Sequence, residues 1–295
     1  MTIIPEELQI HEPDEKLLNI INSKTFDDKI LYEKHSIFHN VKVVENEIGR
    51  FLHYKDTYQA GFINTPVYKG NLPYLNYFTI PFLMNKNVKN ALLIGFGTGK
   101  LVNDLNKLYN DIKRFDVVDI EENIRYIAEK FFDYKNRPNT YFSLQDGIVF
   151  LRESKKKYDL IIADVASDDG IDERFLSEEY FTQVNKCLSP SGIFVSNLCA
   201  SPDFKHPENT FIRDLEKIYA KNFKKTFVFK GNTSDYVYYK AFFGLNKRVI
   251  DITNVILIAT NNISTELSDR EINRFSDINI DITPYIQDLS ELWTS

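Results

Sequence analysis

The residues best placed to do chemistry are a glycine loop and three carboxylates that follow it along the chain. Gly95-Phe96-Gly97-Thr98-Gly99 comes directly after an apolar run and just ahead of leucines at helical spacing. Glycines at a strand-to-helix turn let the backbone bend sharply and let a ligand approach where a Cβ would stand. A dinucleotide fingerprint would place its third glycine one position later, where this chain has Lys100. The tighter spacing suits a nucleoside without a pyrophosphate, although a purely structural turn uses the same residues. Asp119 lies twenty residues beyond Gly99, a distance at which a carboxylate can accept both ribose hydroxyls. Asp146, just before Gly147, is placed to accept an adenine amino group, and Asp164 closes the next apolar run. Each Asp alone reads as a loop residue. At the ends of successive strands, they read together as one crevice.

The elements needed to deliver these groups follow from apolar spacing. Residues 91–95 (ALLIG) form a continuous apolar run, the mark of a strand buried on both faces. Leu101, Leu105, Leu108 and Ile112 then fall at helical spacing, residues 115–120 form a second strand, and Ile124, Ile127 and Phe131 mark a second helix face. Residues 140–144, 158–165 and 193–198 complete the strands, with a helix over 178–188 and the turn Ser189-Pro190-Ser191-Gly192 between the last two. Strands alternating with helices predict a mainly parallel sheet covered on both faces. Residues 29–66 differ: ILYEKHS, VKVVENE and RFLHY are rich in strand formers, and Asn46-Glu47 to Gly49 supplies a turn. The chain thus divides into an N-terminal segment with a small β-domain (1–70) and an α/β nucleoside-binding domain (71–295). Residues 15–21 are helix-like without an assigned role, and the stretch from Ile263 onward reads as a surface helix plus tail.

Composition removes several classes of function. With 43% hydrophobic and 26% charged residues, the chain is an ordinary globular protein able to bury a core without disulfides or metal. Lys and Arg number 36 against 42 Asp and Glu, a net charge of −6. That balance argues against a general nucleic-acid binder, whose affinity comes from neutralising phosphates. Cys187 and Cys199 are too few for a disulfide framework or a zinc site and are expected as buried thiols; the five histidines show no metal-ligand spacing. The first residues lack a basic start and apolar run, and no stretch is long and apolar enough to span a bilayer. A reduced, cytoplasmic protein without metal or membrane attachment is the expectation. Lys155-Lys156-Lys157 reads as a solvated turn.

These residues resemble the spermidine synthase family, the polyamine aminopropyltransferases, over roughly residues 29–245. The glycine loop, Asp119-Ile120-Glu121, Asp146-Gly147 and Asp164 stand in family order, and Tyr32-Glu33-Lys34-His35-Ser36 resembles the family's opening strand. Leu72-Pro73-Tyr74, with Pro81 beyond it, resembles the segment carrying the family's active-site tyrosine, and residues 175–181 resemble the helix approach after the catalytic loop. The resemblance implies a Rossmann-like class I AdoMet-dependent transferase fold preceded by a small β-domain. It assigns the S-adenosyl donor to Gln59, Gly95, Gly97, Thr98, Gly99, Asp119, Ile120, Asp146, Gly147 and Asp164. By analogy it also implies a homodimer or homotetramer.

The acceptor half departs from the family pattern. The family loop Gly-Gly-Gly-Asp-Gly-Gly has Thr98 at its Asp, the second Asp of Asp-Ser-Ser-Asp-Pro is Ser167, and Tyr-His-Glu is Tyr74-Leu75-Asn76. The Tyr-Pro-rich segment that shapes the diamine tunnel has no clear match in Gly231-Asn232-Thr233-Ser234-Asp235. Each charge-assisted hydrogen bond lost costs a diamine about 1.5–3 kcal/mol. Replacing the loop Asp by Thr98 also removes the group that would repel the carboxylate of intact S-adenosylmethionine. The leading expectation is therefore transfer of a methyl or aminocarboxypropyl group from intact S-adenosylmethionine to an amine-bearing small molecule. A true spermidine synthase using decarboxylated S-adenosylmethionine is the alternative, and a non-catalytic nucleoside-binding homologue is the third. In either enzyme Asp164 orients and deprotonates the amine, and Tyr74 supports it; taken without the resemblance, Tyr74 reads equally well as a packed aromatic.

Overall fold

A computed structural model describes residues 27–55, 57–64, 69–165, 172–200, 210–230, 253–262 and 287–288. The readings for residues 15–21, Ser167 and 231–235 lie outside them, as does nearly all of the expected C-terminal helix and tail.

The chain opens with an antiparallel meander of five strands, β1 (Lys29–His35), β2 (Asn40–Asn46), β3 (Gly49–Tyr54), β4 (Thr57–Asn64) and β5 (Lys69–Asn71), hydrogen-bonded in that order. The β2–β3 turn is the one expected: Asn46 pairs with Gly49, and the Asn46 side chain accepts the Ile48 N–H. A 3₁₀ turn (Pro73–Thr79) and the short helix α1 (Ile80–Met84) lead into the second layer.

There, β6 (Asn90–Ile94), α2 (Lys100–Leu108), β7 (Arg114–Asp119), α3 (Ile124–Phe131), β8 (Thr140–Leu144), α4 (Gly147–Glu153) and β9 (Tyr158–Ala163) alternate as the sequence predicts. A 3₁₀ turn (Glu173–Leu176), α5 (Glu178–Cys187), β10 (Leu188–Ala200), α6 (Thr210–Asn222), β11 (Lys225–Lys230), β12 (Thr253–Thr260) and β13 (Gln287–Asp288) follow. The sheet order is β13-β11-β12-β10-β9-β6-β7-β8. The five strands from β10 to β8 run parallel, while β12 pairs antiparallel with β10 and β11, and β13 antiparallel with β11.

Continuous apolar runs work here because both faces of the sheet are covered. Along β9, Leu160 and Ile162 join one core with Leu101, Ile124 and Val43 of the meander, while Ile161 and Ala163 join the other with Leu151, Phe181 and Tyr219. Two expectations shift. Helix α2 stops at Leu108, so Ile112 is buried from a loop beyond it, and residues 189–192 belong to β10 with a register break between Leu188 and Ile193.

The meander joins the second layer through polar contacts as well as through the shared core. Buried Glu121 accepts from the Ser36 hydroxyl and meets His39 Nδ1 at 3.4 Å, Lys34 Nζ donates to Asn123, and Arg50 Nη1 donates to the Phe131 carbonyl. Burial pulls the Glu121 carboxyl upward, but hydrogen bonds from His39, Ser36 and Asn123 outweigh it and hold it at about 2. Near the start of β7, Asp116 accepts from Arg114, Lys156 and the Tyr158 hydroxyl. Lys155, Lys156 and Lys157 are exposed in the loop before β9, as a solvated turn requires, with Lys156 also pairing with Asp116 and Lys157 donating to the Lys186 carbonyl. Cys187 is buried as expected, whereas Cys199 lies within β10 and is exposed.

Candidate functional site

The strand order reverses between β6 and β9, which are hydrogen-bonded neighbours whose following connections leave in opposite directions. Ligands bind open α/β sheets in the crevice beyond the carboxyl ends of strands at such a switch point. The candidate residues gather there. Ile94 pairs with Ala163 and Val118, and Asp119 pairs with Leu144, so Gly95, Asp119, Asp146 and Asp164 follow or close four adjacent strands. The Asp164 N–H donates to the Ile94 carbonyl and the Gly95 N–H to the Val118 carbonyl, which carries the sheet into the site.

The loop needs its glycines. Gly95 has φ +91°, and a Cβ there would stand 2.0 Å from the Asp164 carbonyl oxygen. Gly99, at φ +71°, would drive a Cβ to within 2.7–2.9 Å of the Phe96 and Tyr134 rings. These are left-handed conformations in which a side chain is strained even where space exists. A Cβ at Gly97 would stand 3.6 Å from Ala60 Cβ on β4, so the meander roofs the loop, and Thr98 is buried within it. Gln59 precedes Ala60 in a bulge: Leu52 pairs with Ala60 and His53 with Tyr58, skipping Gln59. Bulges re-aim a side chain and are frequent beside active sites.

Asp119 is buried and accepts from two backbone N–H groups, Phe96 at 2.7 Å and Glu121 at 2.8 Å. Burial raises its carboxyl against those two donors. Each carboxylate oxygen keeps a second lone pair, so the group ties the glycine loop to β7 while retaining acceptor capacity toward a ligand. Ile120 follows it, partly exposed. Asp146 caps α4, its Oδ1 accepting from Ile148 and Val149 at 2.8 and 3.2 Å. Gly147 serves packing: a Cβ there would lie 2.3 Å from Ile94 Cγ2.

Asp164 is the chemical centre of the arrangement. The Tyr74 hydroxyl, on the buried 3₁₀ turn, donates to its Oδ2 at 3.2 Å, and Asn197 Nδ2, on β10, donates to its Oδ1 at 2.8 Å. Burial pushes the carboxyl up to about 6, against these two hydrogen bonds. A carboxylate tuned this close to neutrality is suited to taking a proton from a bound amine. Asn197 was missed in the sequence; its signal was a polar residue near the end of an otherwise apolar strand adjacent to β9. Arg174, whose Nη1 donates to Asp146 Oδ2 at 2.9 Å, was missed as well. Asn76 falls within the 3₁₀ turn, two residues after Tyr74. Among the described residues, no group of three or more His, Cys, Asp or Glu could hold a metal ion, and no helix is long and apolar enough to cross a membrane.

Residues 77–263, well over half of the chain, match the family model of the spermine/spermidine synthase domain. The chain belongs to the spermine/spermidine synthase family. A polyamine aminopropyltransferase of Alkaliphilus metalliredigens is 32% identical over 143 residues, covering 47% of this chain and 50% of that one. A polyamine aminopropyltransferase of Clostridium botulinum is 28% identical over 198 residues, covering 65% and 66%. The chain thus spans about half to two thirds of the length of these relatives. A spermidine synthase solved in complex with the transition-state analogue AdoDATO superposes with a TM-score of 0.62 at 16% identity, covering 86% of this chain and 80% of that one. The fold expected from the sequence, a Rossmann-like sheet preceded by a small antiparallel sheet, is the fold observed.

Proposed function

We propose that this family member moves an aminopropyl group from decarboxylated S-adenosylmethionine to a small-molecule amine. The observation that carries the reading is Asp164, a carboxyl near 6 at the switch point, held by Tyr74 and Asn197 beside the glycine loop. The amine nitrogen attacks the carbon attached to the sulfonium, a C–N bond forms as the C–S bond breaks, and methylthioadenosine leaves with the electron pair. The proton shed by the nitrogen passes to Asp164. Sulfonium transfer otherwise needs only in-line positioning and exclusion of water. The ribose falls to Asp119 and the base to Asp146. The curated relatives are polyamine aminopropyltransferases, which supports this reading above transfer from the intact donor.

One observation favours the second reading. The buried loop position at which the family pattern carries its Asp is the neutral Thr98, which offers no carboxylate to an aminopropyl ammonium and none to repel an α-carboxylate. Product analysis separates the two. Incubation with each donor and a panel of di- and polyamines should release methylthioadenosine from the decarboxylated donor. S-adenosylhomocysteine as the product, or clear calorimetric preference for intact S-adenosylmethionine, would overturn the aminopropyl reading. Binding of nucleoside without turnover of any amine would point to a non-catalytic homologue.

A further inference from the structure

Asp146 is not open to a base in the way its position suggests. Its Oδ1 already carries two backbone N–H groups, from Ile148 and Val149. Its Oδ2, the oxygen left for a base, already accepts from Arg174 Nη1 at 2.9 Å. The guanidinium is fixed from its other edge by Asp172, which accepts from Nε at 2.9 Å and from Nη2 at 2.6 Å and also caps the 3₁₀ turn by accepting the Arg174 N–H. The Asp146 side chain is only 18% exposed while Arg174 is 59% exposed, so the guanidinium is the solvent-facing member of the pair.

We propose that Arg174 is a specificity-determining residue of the nucleoside site, holding the free oxygen of Asp146 until a base that brings its own N–H donor displaces it. The inference rests on the reading of Asp146 as the adenine-facing carboxylate. A 6-amino purine replaces the guanidinium hydrogen bond with its own, so binding is an exchange. A purine with hydrogen at C6 has no donor to offer; it leaves Arg174 in place and neither gains nor loses by the pair. Arg174 therefore lowers affinity for the 6-amino base and narrows the margin by which the site prefers it. Exposed ion pairs are weak and screened by salt, so the exchange is a modest bias rather than a block.

The test uses 5′-methylthioadenosine and its 6-deamino counterpart, the 5′-methylthio riboside of purine, titrated by calorimetry into the full-length protein and into Arg174→Gln and Arg174→Ala. Removing the guanidinium should tighten methylthioadenosine about two- to fivefold and leave the 6-deamino probe unimproved. Raising the salt should tighten methylthioadenosine in the wild type and not in the variants. A merely structural role for Arg174 would change both probes alike. Equal changes for the two probes, no change, or weaker binding of methylthioadenosine would overturn the inference while leaving the nucleoside site standing. Failure of every form to bind either probe, with thermal melts showing folded protein, would overturn the nucleoside reading itself and the inference with it.

Discussion

The acid limb of the rate profile tests the site most directly. Asp164 must be ionised to take a proton from the amine, and its carboxyl sits at about 6 because burial outweighs the hydrogen bonds from Asn197 and Tyr74. Both donors favour the charged form, so removing either pushes the carboxyl higher and moves the acid limb to higher pH. A hydrogen bond to a charged group contributes about 1.5–3 kcal/mol, and one pKa unit corresponds to about 1.4 kcal/mol. Asn197→Leu deletes the 2.8 Å bond and should shift the limb upward by about 1–2 units. Tyr74→Phe deletes the longer 3.2 Å bond and should shift it by at most about 1 unit. The assay is methylthioadenosine release at saturating donor and amine, because kcat reports groups in the bound complex rather than the free amine. Wild-type kcat should fall in acid, with the variants failing at higher pH. An acid limb at the same pH in all three proteins would refute Asp164 as the proton acceptor.

Gly95→Ala should lower stability by more than about 3 kcal/mol in urea denaturation, because its Cβ would stand 2.0 Å from the Asp164 carbonyl oxygen; an unchanged midpoint would contradict the close approach of the two strand ends. Glu121→Ala removes the acceptor shared by Ser36, His39 and Asn123 and should cost about 2–4 kcal/mol at neutral pH. The folded Glu121 carboxyl lies at about 2 against an ordinary 4.5, so its contribution is complete above the ordinary value and is lost as pH falls toward the folded one. The gap between wild type and Glu121→Ala should therefore close in acid, and a gap independent of pH would count against the charge as its source. Thr98→Asp should shift donor preference about 10- to 100-fold toward decarboxylated S-adenosylmethionine in competitive titration; unchanged preference would remove Thr98 from the donor's tail.

Legibility followed the length scale of the interaction. The strands at 91–94 and 160–163 are readable because burial on both faces demands uninterrupted apolar runs, and Asp164 stands out where the second of them ends. Strand β4 was not identified, since Thr57-Tyr58-Gln59-Ala60-Gly61 lacks a clean alternation, and its bulge explains why. Ile112 fits the helical period without being in a helix, because a buried loop residue is apolar for the same reason a helical one is. Partnerships across the fold were invisible. Nothing in Glu173-Arg174-Phe175 announces Asp146 as its partner 28 residues upstream, and nothing in Lys155-Lys156-Lys157 announces Asp116 as the partner of Lys156.

Strand β7 has a carboxylate near each end, and the two are treated differently. Asp116 is neutralised in place by Arg114 and Lys156. Asp119, and Asp164 beyond β9 on the far side of β6, take their hydrogen bonds from uncharged donors. The Asp116 end of β7 is electrically closed, whereas Asp119 and Asp164 at the crevice end are hydrogen-bonded without a paired cation and hold their charge among low-dielectric walls. Such a protein draws cations toward the crevice before any contact forms. Salt should then slow the capture of a cationic donor more than it hastens its escape, so that the charge asymmetry of a single strand sets an encounter rate.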